Sequence, residues 1–218
     1  MDQSYDATTT DQVTIGVATF GDASWVALAN ERAIPSARAQ GARVIHCHRA
    51  TLSEARNAVL DATATELLVN LDADDELEAG YIDTLLAGSA DLRVPSVRYV
   101  AEGRRPQEPR VPRVAGHDHD CSAACLPQGN FMVIGTLARA QLLRDAGGWE
   151  EFPWSEDWAM WSRCWKAGAT IETIPEAVYR AHVRWDSRNR APDRAAKNAA
   201  HEQIHRAVWP EQYQDTAA

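Results

Sequence analysis

The sequence predicts an α/β domain with a mostly parallel central sheet flanked by helices. Between residues 13 and 87, apolar runs of strand length alternate three times with helical segments, which is typical of a parallel α/β sheet. The third apolar run ends abruptly in Asp72, Asp74, Asp75 and Glu76. Ligands of parallel sheets bind beyond the carboxyl ends of the strands, so this acidic run lies where a site is expected.

The composition and charge bound the class of protein. The chain has 218 residues, of which 45% are hydrophobic and 24% charged, so one globular domain with a substantial core is expected. The net charge of −9 argues against a nucleic-acid-binding surface. No apolar run reaches the roughly 18 residues of a membrane helix, and the N-terminus lacks the pattern of a signal peptide. We therefore predict a cytoplasmic protein without a transmembrane segment.

The first half of the chain follows the strand–helix alternation closely. Residues 1–12 are polar and are predicted to be a flexible tail. Strands are predicted at residues 13–19, 42–47 and 66–71. Helices are predicted from Ser24 to an end or kink at Pro35, from residue 51 to about residue 62, and up to about residue 87.

The second half is predicted to complete the same domain, which spans residues 13–190. Strands are predicted at residues 94–100, 129–135 and 170–174, with residues 178–184 extending or following the last one. Helices are predicted at residues 137–146 and 155–165. Pro192 opens a final helix whose apolar residues are spaced four apart. This C-terminal segment, residues 191–218, is expected to dock on the same domain.

The acidic run after the third strand suggests a metal site. Asp72, Asp74 and Asp75 lie so close together that each raises the pKa of the others unless a cation or several N–H donors compensate them. Carboxylate oxygens suit Mn²⁺ or Mg²⁺, which commonly bind a diphosphate at the same time. An alternative remains open at this point: residues 74–76 are also suited to cap a helix through residues 81–86.

A second cluster of metal-ligating residue types lies in the stretch from His117 to Cys125. It contains two histidines and two cysteines within nine residues, which suits zinc. The spacing matches no common structural zinc site, and a solvated loop is the alternative interpretation.

Four short motifs, taken in order, resemble those of family 2 glycosyltransferases of the GT-A fold. The resemblance covers about residues 13–183 and implies a single Rossmann-like nucleotide-diphospho-sugar transferase domain. The motifs are Ala55-Arg56-Asn57, Leu71-Asp72-Ala73-Asp74-Asp75, Gly147-Gly148-Trp149 and Glu156-Asp157-Trp158.

The resemblance implies roles for the residues of these motifs. Asp72 would lie near the ribose and the metal, Asp74 would ligate the metal, and Asp75 would support the turn or reach the sugar. Asp157 would be the general base, with Glu156 beside it. The full implied donor-binding set is Thr19, Gly21, Asp22, Arg56, Asn57, Asp72 and Asp75, and the implied metal ligands are Asp72, Asp74 and His182. The implied acceptor-side residues are Gly129, Asn130, Trp154 and Trp158.

One departure from the family concerns the nucleotide base. Relatives commonly carry an Asp-Asp-Gly-Ser turn after the second strand, with an Asp that helps to bind uracil. Here the corresponding residues are His46-Cys47-His48-Arg49. This departure leaves the identity of the base open.

The leading functional hypothesis is an inverting, metal-dependent glycosyltransferase. It would move a hexose from a nucleotide-sugar, a UDP-sugar in the first instance, to a hydroxyl of a glycan, a protein or a lipid-linked acceptor. One alternative is a noncatalytic nucleotide-sugar or zinc-binding scaffold, for which Asp157 would be dispensable. A nucleotidyltransferase is less favoured, because residues 19–22 are not the Gly-rich basic loop that such enzymes carry after the first strand.

Overall fold

The computed structural model describes residues 9–184 and 194–217, and a seven-stranded sheet forms the centre of this part of the chain. Of the predicted tail, residues 1–8 lie outside the described residues, and Thr9–Gln12 form a 3₁₀ turn. Pro192 and residues 185–190 also lie outside them. The strands are β1 (Val13–Phe20), β2 (Arg43–Arg49), β3 (Leu67–Asp72), β4 (Glu76–Leu77), β5 (Leu92–Ala101), β6 (Leu137–Arg139) and β7 (Ile171–Val183).

The sheet is mixed but mostly parallel. Its strand order is β2-β1-β3-β6-β5-β7-β4. β1 pairs in parallel with β2 and β3, and β5 pairs in parallel with β7. The short β6 lies antiparallel between β3 and β5, and β4 pairs antiparallel with β7 at the edge. Five strands therefore run in one direction, which confirms the predicted fold class.

Helices flank this sheet, and local sequence explains where the early ones begin and end. Thr51 and Glu54 form a reciprocal capping box at the start of the third helix. Pro35 lies in the first turn of the second helix, where its ring would clash with the carbonyl of Glu31, the last residue of the first. The helices are α1 (Ser24–Glu31), α2 (Ala33–Arg38), α3 (Leu52–Ala62), α4 (Tyr81–Leu86), α5 (Ala140–Asp145), α6 (Glu156–Lys166) and α7 (Arg194–Val208).

The strand predicted at residues 129–135 is wrong. These residues form no strand, and the next element, predicted to be a helix from residue 137, begins instead as β6 and becomes α5 only at Ala140. The apolar side chains of Phe131, Met132 and Ile134 are buried, so the hydrophobic run reports burial and not strand pairing. At Gly135 the backbone carbonyl accepts a hydrogen bond from the Tyr81 hydroxyl at 2.7 Å.

The C-terminal helix α7 packs against α6. Ala200, Ile204 and Val208 form its buried stripe, at the four-residue spacing read from the sequence. Lys166 at the end of α6 donates hydrogen bonds to the Val208 carbonyl at 2.6 Å and to the Glu211 carboxylate at 2.9 Å. In the described ranges, no helix is both long enough and apolar enough to cross a membrane.

Candidate active site

A cavity of about 730 Å³ opens over the carboxyl ends of the parallel strands. The ends of β1, β3 and β7 form one wall, together with part of β5. The N-terminus of α6 also lines the cavity, and α7 adds Lys197 and His201. The cavity thus lies at the sheet edge where parallel α/β proteins bind ligands.

Three carboxylates, here called the strand-end cluster, lie where β3 enters the cavity: Asp72, Asp74 and Asp75. The chain turns here through a hydrogen bond from the Asp75 backbone N–H to the Asp72 carbonyl at 3.1 Å. It then pairs with β7 as β4. Helix α4 begins only at Tyr81, with Gly80 at its N-cap position, so the alternative in which residues 74–76 cap this helix is wrong.

Within the strand-end cluster, protein groups satisfy Asp75. Its carboxylate accepts hydrogen bonds from the Tyr179 hydroxyl at 2.8 Å and from the His182 backbone N–H at 2.7 Å. Burial, followed by the charges of Asp74 and Asp72, raises the pKa of Asp75 well above its ordinary value. Asp75 therefore ties the turn to β7.

Asp74 is less compensated than Asp75. Its backbone carbonyl accepts a hydrogen bond from Arg32 Nη1 at 2.9 Å. Among the residues that the structure describes, no side chain donates a hydrogen bond to its carboxylate. Burial and the neighbouring charge of Asp72 raise the pKa of Asp74 to about 6. A cation at this position would relieve both effects.

A second pair of carboxylates, here called the helix-start cluster, begins α6: Glu156 and Asp157. Asp157 accepts hydrogen bonds from Asn130 Nδ2 at 2.9 Å and from the Trp158 backbone N–H at 2.8 Å. Burial, followed by the charge of Glu156, raises the pKa of Asp157 to about 6. An aspartate with such a pKa is ionised at neutral pH and remains a competent base.

The backbone at the start of α6 is strained. Ser155, which precedes the helix-start cluster, has a φ of 58°, in the left-handed region that residues with a Cβ rarely adopt. Its side chain makes no capping hydrogen bond to the helix and instead lies 3.2 Å from His201 Nε2 on α7. The predicted serine cap is therefore wrong, and contacts outside α6 hold this turn.

Arg56 on α3 connects the two clusters. Its Nη2 lies 2.9 Å from Asp72 and its Nη1 lies 2.7 Å from Glu156, and only 3% of its side chain is exposed. Burial alone lowers the pKa of Arg56, but the charges of Asp72, Glu156 and Asp157 raise it above its ordinary value. A permanently charged, buried guanidinium thus fixes the two clusters relative to each other.

His182 lies in the cavity wall at the end of β7. Its Nε2 is 2.7 Å from a carboxylate oxygen of Glu76, so this nitrogen is used and Nδ1 is the one left for a ligand. Burial lowers the pKa of His182, although Glu76 opposes this effect. A neutral imidazole whose other nitrogen donates to a carboxylate is the usual arrangement of a metal-ligating histidine. Two carboxylates and one imidazole are donor types that Mn²⁺ accepts, so the chemistry of Asp72, Asp74 and His182 is compatible with a divalent cation.

The structure does not bring three of the predicted donor-binding residues into the cavity. The amide of Asn57 is used by the backbone of Trp149, to which it donates at 2.8 Å and from which it accepts at 2.7 Å. Asp22 accepts a hydrogen bond from the Ser24 backbone N–H at 2.8 Å, and Gly21 forms the turn before it. The three residues thus make local structural contacts, and their donor-binding roles stay predictions.

Thr19 does line the cavity. Its hydroxyl lies 2.9 Å from His46 Nε2 and 3.0 Å from His48 Nδ1, because β1 and β2 end side by side. Two imidazoles thus lie beside the end of β1, at the point where the sequence departs from the Asp-Asp-Gly-Ser turn of the family.

Two of the four predicted acceptor-side residues line the cavity and two do not. Asn130 and Trp154 line the cavity. Trp158 is 3% exposed and donates from Nε1 to the Leu126 carbonyl at 2.8 Å, so it is a core residue that holds the loop before α6. Gly129 packs close to Val114 outside the cavity. Sequence position alone did not separate these two pairs.

Several cavity residues were missed from the sequence. Tyr179 contacts Asp75 through the pairing of β4 with β7, a pairing between distant segments that no local pattern reveals. Lys197 and His201 lie four apart on α7 and line the cavity. Their spacing of four residues places them on one face of the helix. This spacing was the one sequence feature that could have indicated that they act together.

Comparison with solved structures defines the fold class as the GT-A glycosyltransferase fold. S. aureus TarS 1-349 in complex with UDP-GlcNAc matches with a TM-score of 0.62 and 13% identity, over 88% of this chain and 65% of that chain. The same protein in complex with UDP gives a TM-score of 0.61 at 13% identity, over 94% of this chain and 67% of that one.

This similarity confirms the predicted fold, and at 13% identity it concerns the fold alone. The longer S. aureus TarS structure matches with a TM-score of 0.54 and 13% identity, over 88% of this chain but only 38% of that one. No protein-family model and no curated protein matches the sequence.

Proposed function

We propose that this chain is a metal-dependent, inverting glycosyltransferase that moves a hexose from a nucleotide-sugar to an acceptor hydroxyl. The observation that carries the proposal is that two acidic clusters line one cavity and are joined by buried Arg56. Inversion by direct displacement needs a base on one face of the sugar and a stabilised leaving group on the other. We assign these two functions to the two clusters.

In the helix-start cluster, Asp157 acts as the general base. The Asn130 amide and the Trp158 backbone N–H hold its carboxylate in one orientation, and a deprotonated Asp157 accepts the proton of the attacking hydroxyl. Glu156 beside it is held by Arg56 and serves to position the start of α6. Trp154 offers a ring in the cavity wall on which a sugar can stack.

At the strand-end cluster, Asp72, Asp74 and His182 would hold the divalent cation. When bound, Mn²⁺ or Mg²⁺ neutralises the negative charge that develops on the departing nucleoside diphosphate. Asp75 keeps the turn in place through Tyr179. Arg56 holds the Asp72 carboxylate in place through a hydrogen bond from Nη2 at 2.9 Å.

A UDP-sugar is the first donor to test, since the solved TarS structures of the same fold contain UDP-GlcNAc and UDP. The end of β2 carries His46 and His48 beside Thr19, so the base contacts must differ from those of an aspartate. Comparison of UDP with GDP therefore tests the base directly.

The experiment is calorimetric titration of UDP and GDP, with and without Mn²⁺, into the wild type and the Asp74→Ala variant. We expect manganese-dependent binding of one nucleotide, lost in Asp74→Ala. Asp83→Ala serves as the matched control, because Asp83 is an exposed aspartate of α4 outside the cavity, and it should bind as the wild type does. Absence of binding for both nucleotides under every metal condition would overturn the donor site.

Turnover separates an enzyme from the noncatalytic scaffold. Release of UDP from UDP-GlcNAc, with water as acceptor, requires no knowledge of the natural acceptor. A scaffold would bind the nucleotide but release no UDP above the uncatalysed rate. The nucleotidyltransferase alternative has no support from the cavity, because the turn after β1 at Gly21 does not enter it.

A further inference from the structure

A second group of metal-ligating side chains lies away from the cavity, in the long connection between β5 and β6. Residues 102–136 of this connection contain a 3₁₀ turn at Ala123–Cys125 and no β-strand or α-helix. The ligand atoms of His117, Cys121 and Cys125 lie within 4.8 Å of one another. Both cysteines are free thiols and are largely buried.

The distances within this group suit a tetrahedral zinc ion. Cys121 Sγ lies 3.6 Å from His117 Nδ1, and Cys125 Sγ lies 3.8 Å from His119 Nε2. Zn–S bonds of about 2.3 Å and Zn–N bonds of about 2.0–2.1 Å imply N···S edges of roughly 3.5–3.6 Å in a regular tetrahedron. The His117–Cys121 pair matches this spacing, and the His119–Cys125 pair is slightly longer. The three ligand atoms of His117, Cys121 and Cys125 are the ones that already lie together, and His119 is adjacent to them through Cys125.

The surroundings of the group are also those of a thiolate site. The Val114 backbone N–H donates to Cys121 Sγ at 3.3 Å, and such N–H···S contacts stabilise a thiolate. The rings of His117 and His119 stack with their centroids 4.8 Å apart, so His119 is brought next to the other three residues. Thiolate and imidazole donors favour zinc over Mn²⁺ or Mg²⁺.

We propose that His117, His119, Cys121 and Cys125 form a structural Zn²⁺ site. None of the four residues lines the cavity, so this site is separate from the one formed by Asp72, Asp74 and His182. The ion would cross-link a long connection that has little regular secondary structure of its own.

The position of the site in the chain gives it a function. Immediately after Cys125, the Leu126 carbonyl accepts the hydrogen bond from Trp158 Nε1, and four residues further on Asn130 donates to Asp157. Zinc would therefore anchor the segment that holds the start of α6 and its carboxylate. Removal of zinc should loosen this segment while the sheet remains intact.

The test is metal analysis of the full-length protein purified under reducing conditions, together with cobalt substitution. We expect one zinc per chain, and after exchange a thiolate-to-cobalt charge-transfer band with the visible bands of tetrahedral Co²⁺. Both signals should be lost in the Cys121→Ser/Cys125→Ser double variant. They should persist in Cys47→Ser, a matched control whose thiol lies on β2 outside the group.

A second readout does not depend on catalysis. Arg113 is exposed and lies just before the group, so trypsin cleavage there reports the order of the connection. Chelator treatment should speed this cleavage, and Zn²⁺ but not Mn²⁺ should restore resistance. Circular dichroism of the double variant verifies that the sheet is still formed.

Three results would overturn the proposal. The first is a wild type that binds neither Zn²⁺ nor Co²⁺ under reducing conditions. The second is a double variant that binds as much zinc as the wild type does. The third is a Cys121–Cys125 disulfide found by mass spectrometry in protein prepared without oxidant, which would make the pair a redox element instead.

Discussion

The strand-end cluster and the helix-start cluster each place a carboxylate with a structural contact next to a carboxylate to which the proposed function gives a chemical role. In the strand-end cluster Asp75 is held by Tyr179, and Asp74 receives no side-chain hydrogen bond among the described residues. In the helix-start cluster Glu156 is held by Arg56, and Asp157 faces the cavity. The hydrogen-bonded carboxylate, Asp75 or Glu156, fixes the backbone. This fixes the position of its neighbour, Asp74 or Asp157, in the cavity wall.

The two clusters raise the pKa of the cavity-facing aspartate in the same way but give that aspartate different hydrogen-bond partners. Burial raises both Asp74 and Asp157 to a pKa of about 6. Asp157 still receives two hydrogen bonds, from Asn130 and from the Trp158 backbone, which orient it as a proton acceptor. Asp74 has no comparable support, as suits a ligand that a cation completes. Similar pKa values therefore accompany different roles, and the hydrogen-bond partners distinguish them.

The largest expected effect comes from Asp157→Asn, which removes the base and keeps the shape. Turnover should fall by about 10²–10⁴-fold, the usual contribution of a general base. Binding of the nucleotide with Mn²⁺ should be unchanged, because the strand-end cluster is untouched. UDP release and calorimetry measure the two quantities in the same preparation.

The exposed Asp83→Asn variant controls for the loss of one negative charge and should keep full turnover. An Asp157→Asn protein within threefold of wild-type turnover would remove the distinction between the two clusters. The scaffold alternative would then become the better description.

The second largest effect concerns the link between the clusters. Arg56→Met removes the salt bridge of buried Glu156 and one contact of Asp72. Loss of one member of a buried ion pair destabilises a protein by about 3–5 kcal/mol. The free energy of unfolding from urea denaturation measures this loss, and Arg56→Lys should recover part of it because the charge remains. Equal stability of Arg56→Met and the wild type would show that the two clusters are positioned independently.

Much of the fold was predictable because, in the first half of the chain, the local sequence signals for strands, turns and helices agree with the elements that form. β1 and β3 are buried and largely apolar runs, and the helix that follows β2 begins with residues suited to it, the capping box of Thr51 and Glu54. The connection between β5 and β6 was not predictable in this way. Phe131 and Met132 are buried without forming a strand, and hydrophobicity does not tell burial from pairing.

The site was predictable to the extent that function lies in short motifs. Asp72, Asp74 and Asp157 were identified because the chemistry needs carboxylates at those positions, and all three line the cavity. The contacts of the Asn57 amide with the Trp149 backbone were not predicted, because only the folded chain brings these groups together. Partners that come from distant segments are set by tertiary packing, and a single sequence does not record them.

A smaller effect tests the satisfied carboxylate of the strand-end cluster. Tyr179→Phe deletes the hydroxyl that donates to buried Asp75. An unsatisfied buried acceptor costs about 1–3 kcal/mol, so the free energy of unfolding should fall by that amount. Tyr99→Phe is the matched control, because Tyr99 also lines the cavity and its ring, not its hydroxyl, contacts Arg110. Equal losses in the two variants would indicate a general effect of removing a hydroxyl.

The pH dependence of turnover tests the role of Asp157 in the helix-start cluster. Asp157 must be deprotonated to accept a proton, and its pKa is raised to about 6. Turnover should therefore be constant above this pH and fall below it, by roughly tenfold for each further unit. Burial, followed by the charge of Glu156, raises this pKa, and Arg56, the Trp158 backbone N–H and the Asn130 amide lower it. Nucleotide binding measured at each pH separates this loss from any change at the strand-end cluster.

The smallest effect is a displacement of that profile by Asn130→Ala. The Asn130 amide donates to Asp157 and favours its charged form, so its loss should raise the pKa of Asp157. A hydrogen bond to a charged group contributes about 1.5 kcal/mol, which corresponds to an upward shift of about one pH unit. Well above this midpoint the variant should approach wild-type turnover, because the base is again ionised. A uniform loss of turnover at every pH, with the midpoint unchanged, would mean that Asn130 positions the acceptor and does not tune the base.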